Sequence, residues 1–375
     1  MLRLAVTGAS GFLGWHVRVL LRALGWPEPA VVSRAELADP ERVAAKVAGV
    51  DRVLHLAGVN RGEPADVAAG NVQLAAQLAR GLRHCPTPPA SVVFANSVQA
   101  GNGTPYGDAK ATAARILADT GLPLDDLLLP NLYGEHGRPF HNSAVATFCR
   151  LLAEGGQPEV HGDRDLSLVH VTDAAARLAG VPAGGSWDPT MPALRIGVRA
   201  LADRLSAIAA TYRTGEIPPL SDRHDVRLFN TYRSHCFPAH YPLALPRRAD
   251  ARGELVETVK VHAGGGQVFC STTRPAVTRG EHFHLAKVER FVVLRGSAEI
   301  SLRRVGDTEV LRFPVSGTEP VLVDMPTMWV HKLVNTGSDE LVTLFWTNEL
   351  FDPTSPDTWP EPVEETRPAP VAVGA

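Results

Sequence analysis

An apolar run, Leu2 to Thr7, meets an amphipathic stretch, Trp15 to Leu24, through Thr7-Gly8-Ala9-Ser10-Gly11-Phe12-Leu13-Gly14. No other feature constrains the fold as strongly. The apolar run reads as a buried strand, and the amphipathic stretch as a helix that stops at Gly25 with Pro27 beyond. Glycines three apart at a strand–helix junction suit a dinucleotide. Gly8 permits the tight turn, Gly11 lets backbone N–H groups approach a pyrophosphate, and Gly14 lets the helix pack close to the sheet. Gly8, Ser10, Gly11, Phe12, Leu13 and Gly14 are therefore the expected cofactor loop. The spacing alone also occurs in plain turns; its position at the first strand–helix junction gives it force.

The rhythm continues downstream. Ala30 to Ser33, Arg52 to Ala57 and Ser91 to Ala95 read as short buried strands. Asp66 to Arg83 reads as a helix, and Asp39-Pro40 as an N-cap followed by proline at the first helical position. Strands alternating with helices specify an α/β fold with a doubly wound, Rossmann-like parallel sheet. After about residue 240 the texture changes. Gln267 to Thr273, Glu289 to Leu294, Ala298 to Arg303, Pro320 to Asp324 and Leu341 to Trp346 read as closely spaced antiparallel strands, an all-β sandwich or small barrel. With 375 residues, two domains are expected. The first spans 1–240, with a substrate-binding part from about 130, and the β domain spans 245–352. Tyr212 to Ala251 is a structured connector, and 353–375 a flexible tail rich in Pro and Glu.

Hydrophobic residues make up 45% and the formal net charge is −3, so the chain is expected to fold and to have no bulk attraction for nucleic acid or anionic membrane. It lacks an apolar run of roughly 18 residues, and no cleavage site follows the apolar start. Cys85, Cys149, Cys236 and Cys270 fit no zinc or redox spacing. A cytoplasmic protein with reduced, packing thiols is expected.

Tyr106-Gly107-Asp108-Ala109-Lys110 places a phenol and an ammonium one helical turn apart. The ammonium is expected to lower the phenol's pKa, so that Tyr106 can exchange a proton with a carbonyl oxygen. Ser97, just past a strand, can hold the same oxygen while hydride arrives from nicotinamide. Strand two ends at Ser33-Arg34, where an NAD-preferring fold carries an acid for the ribose 2′-hydroxyl. Arg34 instead offers a fork to a 2′-phosphate, which points to NADP(H); the alternative is a solvated surface arginine.

A glycine loop, a serine at a strand end and then YxxxK, all within the first 110 residues, resemble the extended short-chain dehydrogenase/reductase family. His55-Leu56-Ala57-Gly58 and Asn71 resemble its next cofactor-side motif and structural asparagine, and Leu129-Pro130-Asn131 its nicotinamide loop. The resemblance makes Ser97, Tyr106 and Lys110 catalytic, and adds Leu56, Ala57, Gly58, Asn71, Lys110, Pro130 and Asn131 to the cofactor site. Sugar-nucleotide dehydratases of that family carry an acid pair after the serine. Val98 and Gln99 stand here, which leaves a reductase or a redox epimerase.

Gly280-Glu281-His282-Phe283-His284, Glu289 and the Pro326…His331 segment bring three imidazoles and a carboxylate to neighbouring strands. Converging inside a barrel, His282, His284, Glu289 and His331 make a site for Zn, Ni, Mn or Fe, with zinc preferred. The alternative is a barrel that works without metal. The pattern resembles both cupin motifs, with Met328 where glycine is usual.

Together the two halves resemble the CapF-type family of capsular polysaccharide biosynthesis, reductases fused to a cupin. His55 to Arg61, Pro139 to Ser143, Val145 to Cys149 and Gly266-Gln267-Val268 leading to Thr278-Arg279-Gly280 share the likeness, which covers nearly the whole chain. It implies a nucleotide-linked 4-keto-6-deoxy sugar as substrate, with UDP the preferred nucleotide, epimerised at C3 by the cupin and reduced at C4 with NADPH. It also implies a homodimer or larger homo-oligomer. Leu285 stands where the family has another histidine, so the epimerase base is open. A ketoreductase whose cupin only binds sugar or dimerises is the competing reading. A non-catalytic NADP(H) sensor fits less well, since a sensor needs no proton donor.

Overall fold

The computed structural model describes residues 1–364. The chain divides into two compact units, Met1–Asp203 and Arg204–Ala375. The division therefore falls ahead of residue 240, and the connector belongs with the β unit.

The first unit opens with β1 (Leu4–Thr7), α1 (Phe12–Ala23), β2 (Ala30–Val32), α2 (Arg34–Leu37), α3 (Pro40–Val47), β3 (Arg52–His55) and α4 (Pro64–His84). It continues through β4 (Ser91–Ser97), α5 (Pro105–Ala118) and β5 (Leu124–Leu129). The five strands form one parallel sheet in the order β2-β1-β3-β4-β5. Ala5, Val53, Val92 and Phe94 join a core with Val43, Leu78, Leu82 and Ala113 from the helices. Their strand neighbours Val6, Leu54 and Val93 point to the other face and are equally buried. Both faces are thus covered, as a Rossmann-like sheet requires. Asp39 caps α3 by accepting from the N–H groups of Glu41 and Arg42, with Pro40 at the first helical position.

A smaller sheet of β6 (Asn131–Tyr133), β7 (Asp165–His170) and β8 (Leu194–Gly197) follows, interleaved with α6 (Ala144–Ala153) and α7 (Val171–Ala179). Then come α8 (Val198–Tyr212) and α9 (Arg223–Cys236).

In the second unit, β9 (Leu243–Ala244), β12 (Gln267–Thr273), β14 (Glu289–Arg295), β17 (Val321–Met325) and β19 (Leu341–Thr347) form one antiparallel sheet, with β10 (Arg247–Asp250) and β11 (Gly253–Val256) as a separate hairpin. The other sheet holds β13 (Thr278–Phe283), β15 (Ser297–Arg304), β16 (Val310–Ser316), β18 (Trp329–Asn335) and β20 (Trp359–Pro360). The two sheets make a cupin-like barrel. Helix α9 packs on it through polar groups: Asn230 donates to the Ala286 carbonyl at 2.6 Å and Arg233 to that of Met325 at 3.1 Å. Its apolar stripe of Leu228, Phe229, Tyr232 and Cys236 is buried together with Arg227 and Arg233, charged residues that mask the hydrophobic periodicity.

The segment expected to fray is anchored in part, with Pro353, Thr354 and Ser355 exposed. Asp357 and Val363 are buried, and β20 pairs with β13 at His282 and Phe283. Residues 365–375 of that expected tail lie outside the described residues. Met328 takes the left-handed φ of 62° that suits glycine, yet its side chain is wholly buried. Burying a methionine offsets the ~1–2 kcal/mol that such a φ costs. No helix among the described residues is long and apolar enough to cross a membrane. All four cysteines are free; Cys85, Cys149 and Cys236 are buried and Cys270 is exposed.

Candidate active site and metal centre

The registers Thr7↔His55, His55↔Phe94 and Ser97↔Leu129 align the carboxyl ends of β1, β3, β4 and β5. Four loops leave that edge: Gly8–Gly14, Leu56–Gly58, Val98–Thr104 and Pro130–Asn131. The chain reverses its direction of travel between β1 and β3, and ligands of doubly wound sheets bind at such a switch point.

Gly8 has φ +72°, and a Cβ there would lie 2.7 Å from the Ala57 nitrogen; one on Gly14 would lie 2.1 Å from the Gly8 carbonyl oxygen. The loop and α1 therefore pack without room for side chains, as the spacing of the glycines implied. The N-terminus of α1 has no side-chain cap, so its leading N–H groups are available to an anion. Thr7 Oγ1 accepts from the N–H groups of Leu56 and Ala57 at 3.2 Å each. Its own proton then goes to His55 Nδ1, 2.8 Å away. Burial and the Lys110 charge push His55 down to about 3, so it is a neutral scaffold. Asn71 donates to the carbonyls of Val59 and Val67 at 2.6 and 2.8 Å and accepts from the Val59 N–H. It clamps the loop that carries Gly58.

Ser97 ends β4. Thr104 caps α5 and Pro105 starts it, which sets Tyr106 in the first turn. Gly107 is pressed against the Gln99 carbonyl, where a Cβ would come within 2.2 Å. This close turn brings Tyr106 near Ser97, whose hydroxyl favours the phenolate form. Lys110 Nζ donates to the Ala95 carbonyl at 2.8 Å and lies 4.1 Å from the centre of the Phe94 ring. Burial pushes Lys110 down to about 8, against the pull of Asp126. The phenol differs from the expectation. Burial raises the Tyr106 pKa, the Ser97 hydroxyl opposes it, and Lys110 is committed to Ala95 and Phe94. Arg34, the first residue of α2, is exposed, and among the described residues nothing pairs with its guanidinium. Pro130 is half-buried and Asn131 exposed at the start of β6, next to the strand end of Ser97.

In the second unit, His282, His284, Glu289 and His331 bring their ligand atoms within 4.8 Å of one another. The register His282↔His331 joins β13 and β18. Glu289 Oε2 lies 3.0 Å from His284 Nε2 and 3.3 Å from His331 Nε2. Both imidazoles place their other nitrogen on a carbonyl, His284 Nδ1 on Asp357 at 2.6 Å and His331 Nδ1 on Trp329 at 3.2 Å. Their Nε2 lone pairs then face a carboxylate, an arrangement that a proton or a metal ion between them must offset. His331 Nε2 is buried without a hydrogen bond. Burial and the neighbouring imidazoles push His282 down to about 3, which keeps it neutral as a ligand must be. The donor set fits a divalent metal. A cavity of about 190 Å³ opens beside it, lined also by Lys287, Thr347 and Glu349. Burial and the Asp357 charge raise the Glu349 carboxyl.

Residues 4–179 match the NAD dependent epimerase/dehydratase family, and residues 248–359 the polysaccharide biosynthesis C-terminal domain. A UDP-2-acetamido-2,6-beta-L-arabino-hexul-4-ose reductase of Pseudomonas aeruginosa is 30% identical over 368 residues, 96% of this chain and 98% of the relative. The capsular polysaccharide assembling protein CapF of Staphylococcus aureus superposes with a TM-score of 0.58 at 27% identity, over 96% of this chain and 99% of that one. This chain belongs to the CapF-type family. A second crystal form of the Staphylococcus aureus protein superposes with a TM-score of 0.52 at 26% identity. Like that CapF structure, this member carries a reductase-type sheet ahead of a cupin-like barrel, and each unit holds its own cluster of reactive side chains.

Sequence reasoning named every member of the two clusters. It missed the residues that hold them: Thr7 under the Leu56–Gly58 loop, Phe94 under Lys110, and Asp357 behind His284. Thr7 and Phe94 lay in expected strands, but nothing in a strand pattern tells an anchoring side chain from a packed one.

Proposed function

We propose that this chain reduces the C4 ketone of a UDP-linked 4-keto-6-deoxy-hexose with NADPH in its first unit, and moves the C3 proton of that sugar in its second. The observation that carries the reading is the convergence of Ser97, at the carboxyl end of β4, with Tyr106 and Lys110 in the first turns of α5, where Lys110 is held on the Ala95 carbonyl of the same strand. The UDP-sugar reductase with which the chain shares its full length supports the substrate class.

When bound, the dinucleotide supplies hydride, and a divalent metal supplies Lewis-acid charge beside a ketone. Ser97 and Tyr106 hold the C4 oxygen between two hydroxyls. Tyr106 releases its proton to that oxygen as hydride reaches the carbon, which yields the alcohol. The Ser97 hydroxyl favours the phenolate left behind, against the burial that opposes it. Arg34, unpaired at the end of β2, takes the 2′-phosphate and favours NADPH over NADH. Gly8 to Gly14 and Leu56 to Gly58 enclose the dinucleotide, and Asn131 borders the nicotinamide.

In the second unit, His282, His284, Glu289 and His331 hold the metal. The C3 proton lies α to the C4 ketone and is acidic for that reason. Glu349 lines the cavity with its carboxyl raised, which makes it the stronger base and fills the role left open by Leu285. A UDP-linked 4-keto-6-deoxy-hexose kept with the metal-loaded protein in D2O, without NADPH, is expected to take up deuterium at C3. A sugar that stays unlabelled removes the epimerase half and leaves a ketoreductase with a binding barrel.

A further inference from the structure

After β19 the chain runs back along the four-ligand cluster. Asp352, Ser355, Pro356 and Thr358 line the same cavity as His282, His284 and Glu289. Asp357 stands among them, only 5% exposed and at a left-handed φ of 42°. Its carboxylate accepts from the N–H groups of Leu285 at 3.0 Å, Ala286 at 2.8 Å and Lys287 at 2.8 Å, and from the Trp359 indole at 3.0 Å. Four donors fill a carboxylate's lone pairs. Its backbone carbonyl accepts from His284 Nδ1 at 2.6 Å.

The three amides belong to the loop that starts at His284 and ends just before Glu289. One carboxylate therefore fixes the spacing between two of the four ligands, and the carbonyl of the same residue fixes the tautomer of the first. With its proton on Nδ1, His284 must present the Nε2 lone pair to the cluster. A plain loop staple needs neither a backbone contact to a ligand imidazole nor a non-glycine residue at positive φ. Asp is among the few residues that accept that conformation readily. This strap holds a third ligand as well, because Pro360 pairs with His282.

We propose that Asp357 is a positioning residue of the metal centre: it sets the loop between His284 and Glu289 and turns His284 Nε2 toward the ion. The inference rests on the metal reading above. Its test uses the full chain stripped of metal, with Zn²⁺ titrated against a chelating dye and Co²⁺ followed by its visible spectrum. Asp357→Ala and Asp357→Asn are expected to keep the circular dichroism of the stripped parent and to weaken Zn²⁺ binding about 10–100-fold. The Co²⁺ bands should shift as His284 loses its orientation, which a merely structural strap would not cause. If the alanine variant does not fold, the asparagine variant decides, since it keeps the volume and part of the acceptor set. Parent-like Zn²⁺ affinity and Co²⁺ bands in a folded variant would overturn the inference alone. A parent that takes up neither ion would overturn the metal reading and the inference with it.

Discussion

Tyr106→Phe is expected to slow C4 ketone reduction by about 10²–10⁴-fold, the range for loss of a positioned general acid. The substitution removes one oxygen and keeps the ring that α5 packs into place. Ser97 stays at the end of β4, and Lys110 stays on the Ala95 carbonyl and over Phe94, because neither contact uses the phenol. Cofactor affinity, read by NADPH fluorescence, should therefore hold while turnover of a UDP-linked 4-keto sugar falls. A phenylalanine variant that turns over at the parent rate would remove Tyr106 from the chemistry.

The second large effect concerns stability. Arg290 and Asp324 form a wholly buried bidentate pair, with Nε and Nη2 at 2.7 and 2.9 Å from the two carboxylate oxygens. Tyr212 donates to the same carboxylate at 2.7 Å. Asp324→Asn leaves a guanidinium in the barrel without its counter-charge and is expected to cost about 3–5 kcal/mol of unfolding free energy. Replacing both partners, Arg290→Met with Asp324→Leu, should cost less than the single change, because no buried charge is stranded. The pH dependence has a definite sign. Arg290 holds the folded Asp324 carboxyl below its ordinary value despite burial. Its contribution is present above the unfolded carboxylate pKa and is lost as pH falls through the lower folded one. The gap between parent and Asp324→Asn should thus shrink on acidification. Denaturant melts at neutral and acid pH measure it, and an Asp324→Asn variant as stable as the parent would contradict this role for the pair.

Much of this molecule was readable from residue order because its signals are local. The glycine loop, the Asp39-Pro40 cap and the YxxxK turn each fit within a few residues, so backbone geometry follows from the residues alone. The strand from Gln267 to Thr273 was placed to the residue by its bounding breakers. The cluster of His282, His284, Glu289 and His331 was readable because the HxH pair closes one strand and a carboxylate opens the next, which brings them together inside a small barrel.

What could not be read depends on distant partners. The raised phenol of Tyr106 results from desolvation by the whole fold, which one helical turn of sequence cannot report. The expected flexible tail failed at Asp357 for a related reason. A segment rich in Pro and Glu resembles a solvated end, and only the fold shows that residues 285–287 offer three amides to one of its carboxylates. Helix α9 escaped because Arg227, Asn230 and Arg233 are buried beside Leu228, Phe229, Tyr232 and Cys236. Buried charges interleaved with an apolar stripe blur the contrast between faces on which hydrophobic periodicity depends.

Label transfer tests the reductase assignment most directly. NADPH deuterated at C4 of the nicotinamide, on one face or the other, is mixed with a UDP-linked 4-keto-6-deoxy-hexose and the full-length protein. The expected product carries deuterium at sugar C4 from one of the two labelled cofactors and none from the other. A sugar alcohol that lacks the label with both, or a ketone that survives full exposure to cofactor, would contradict the assignment.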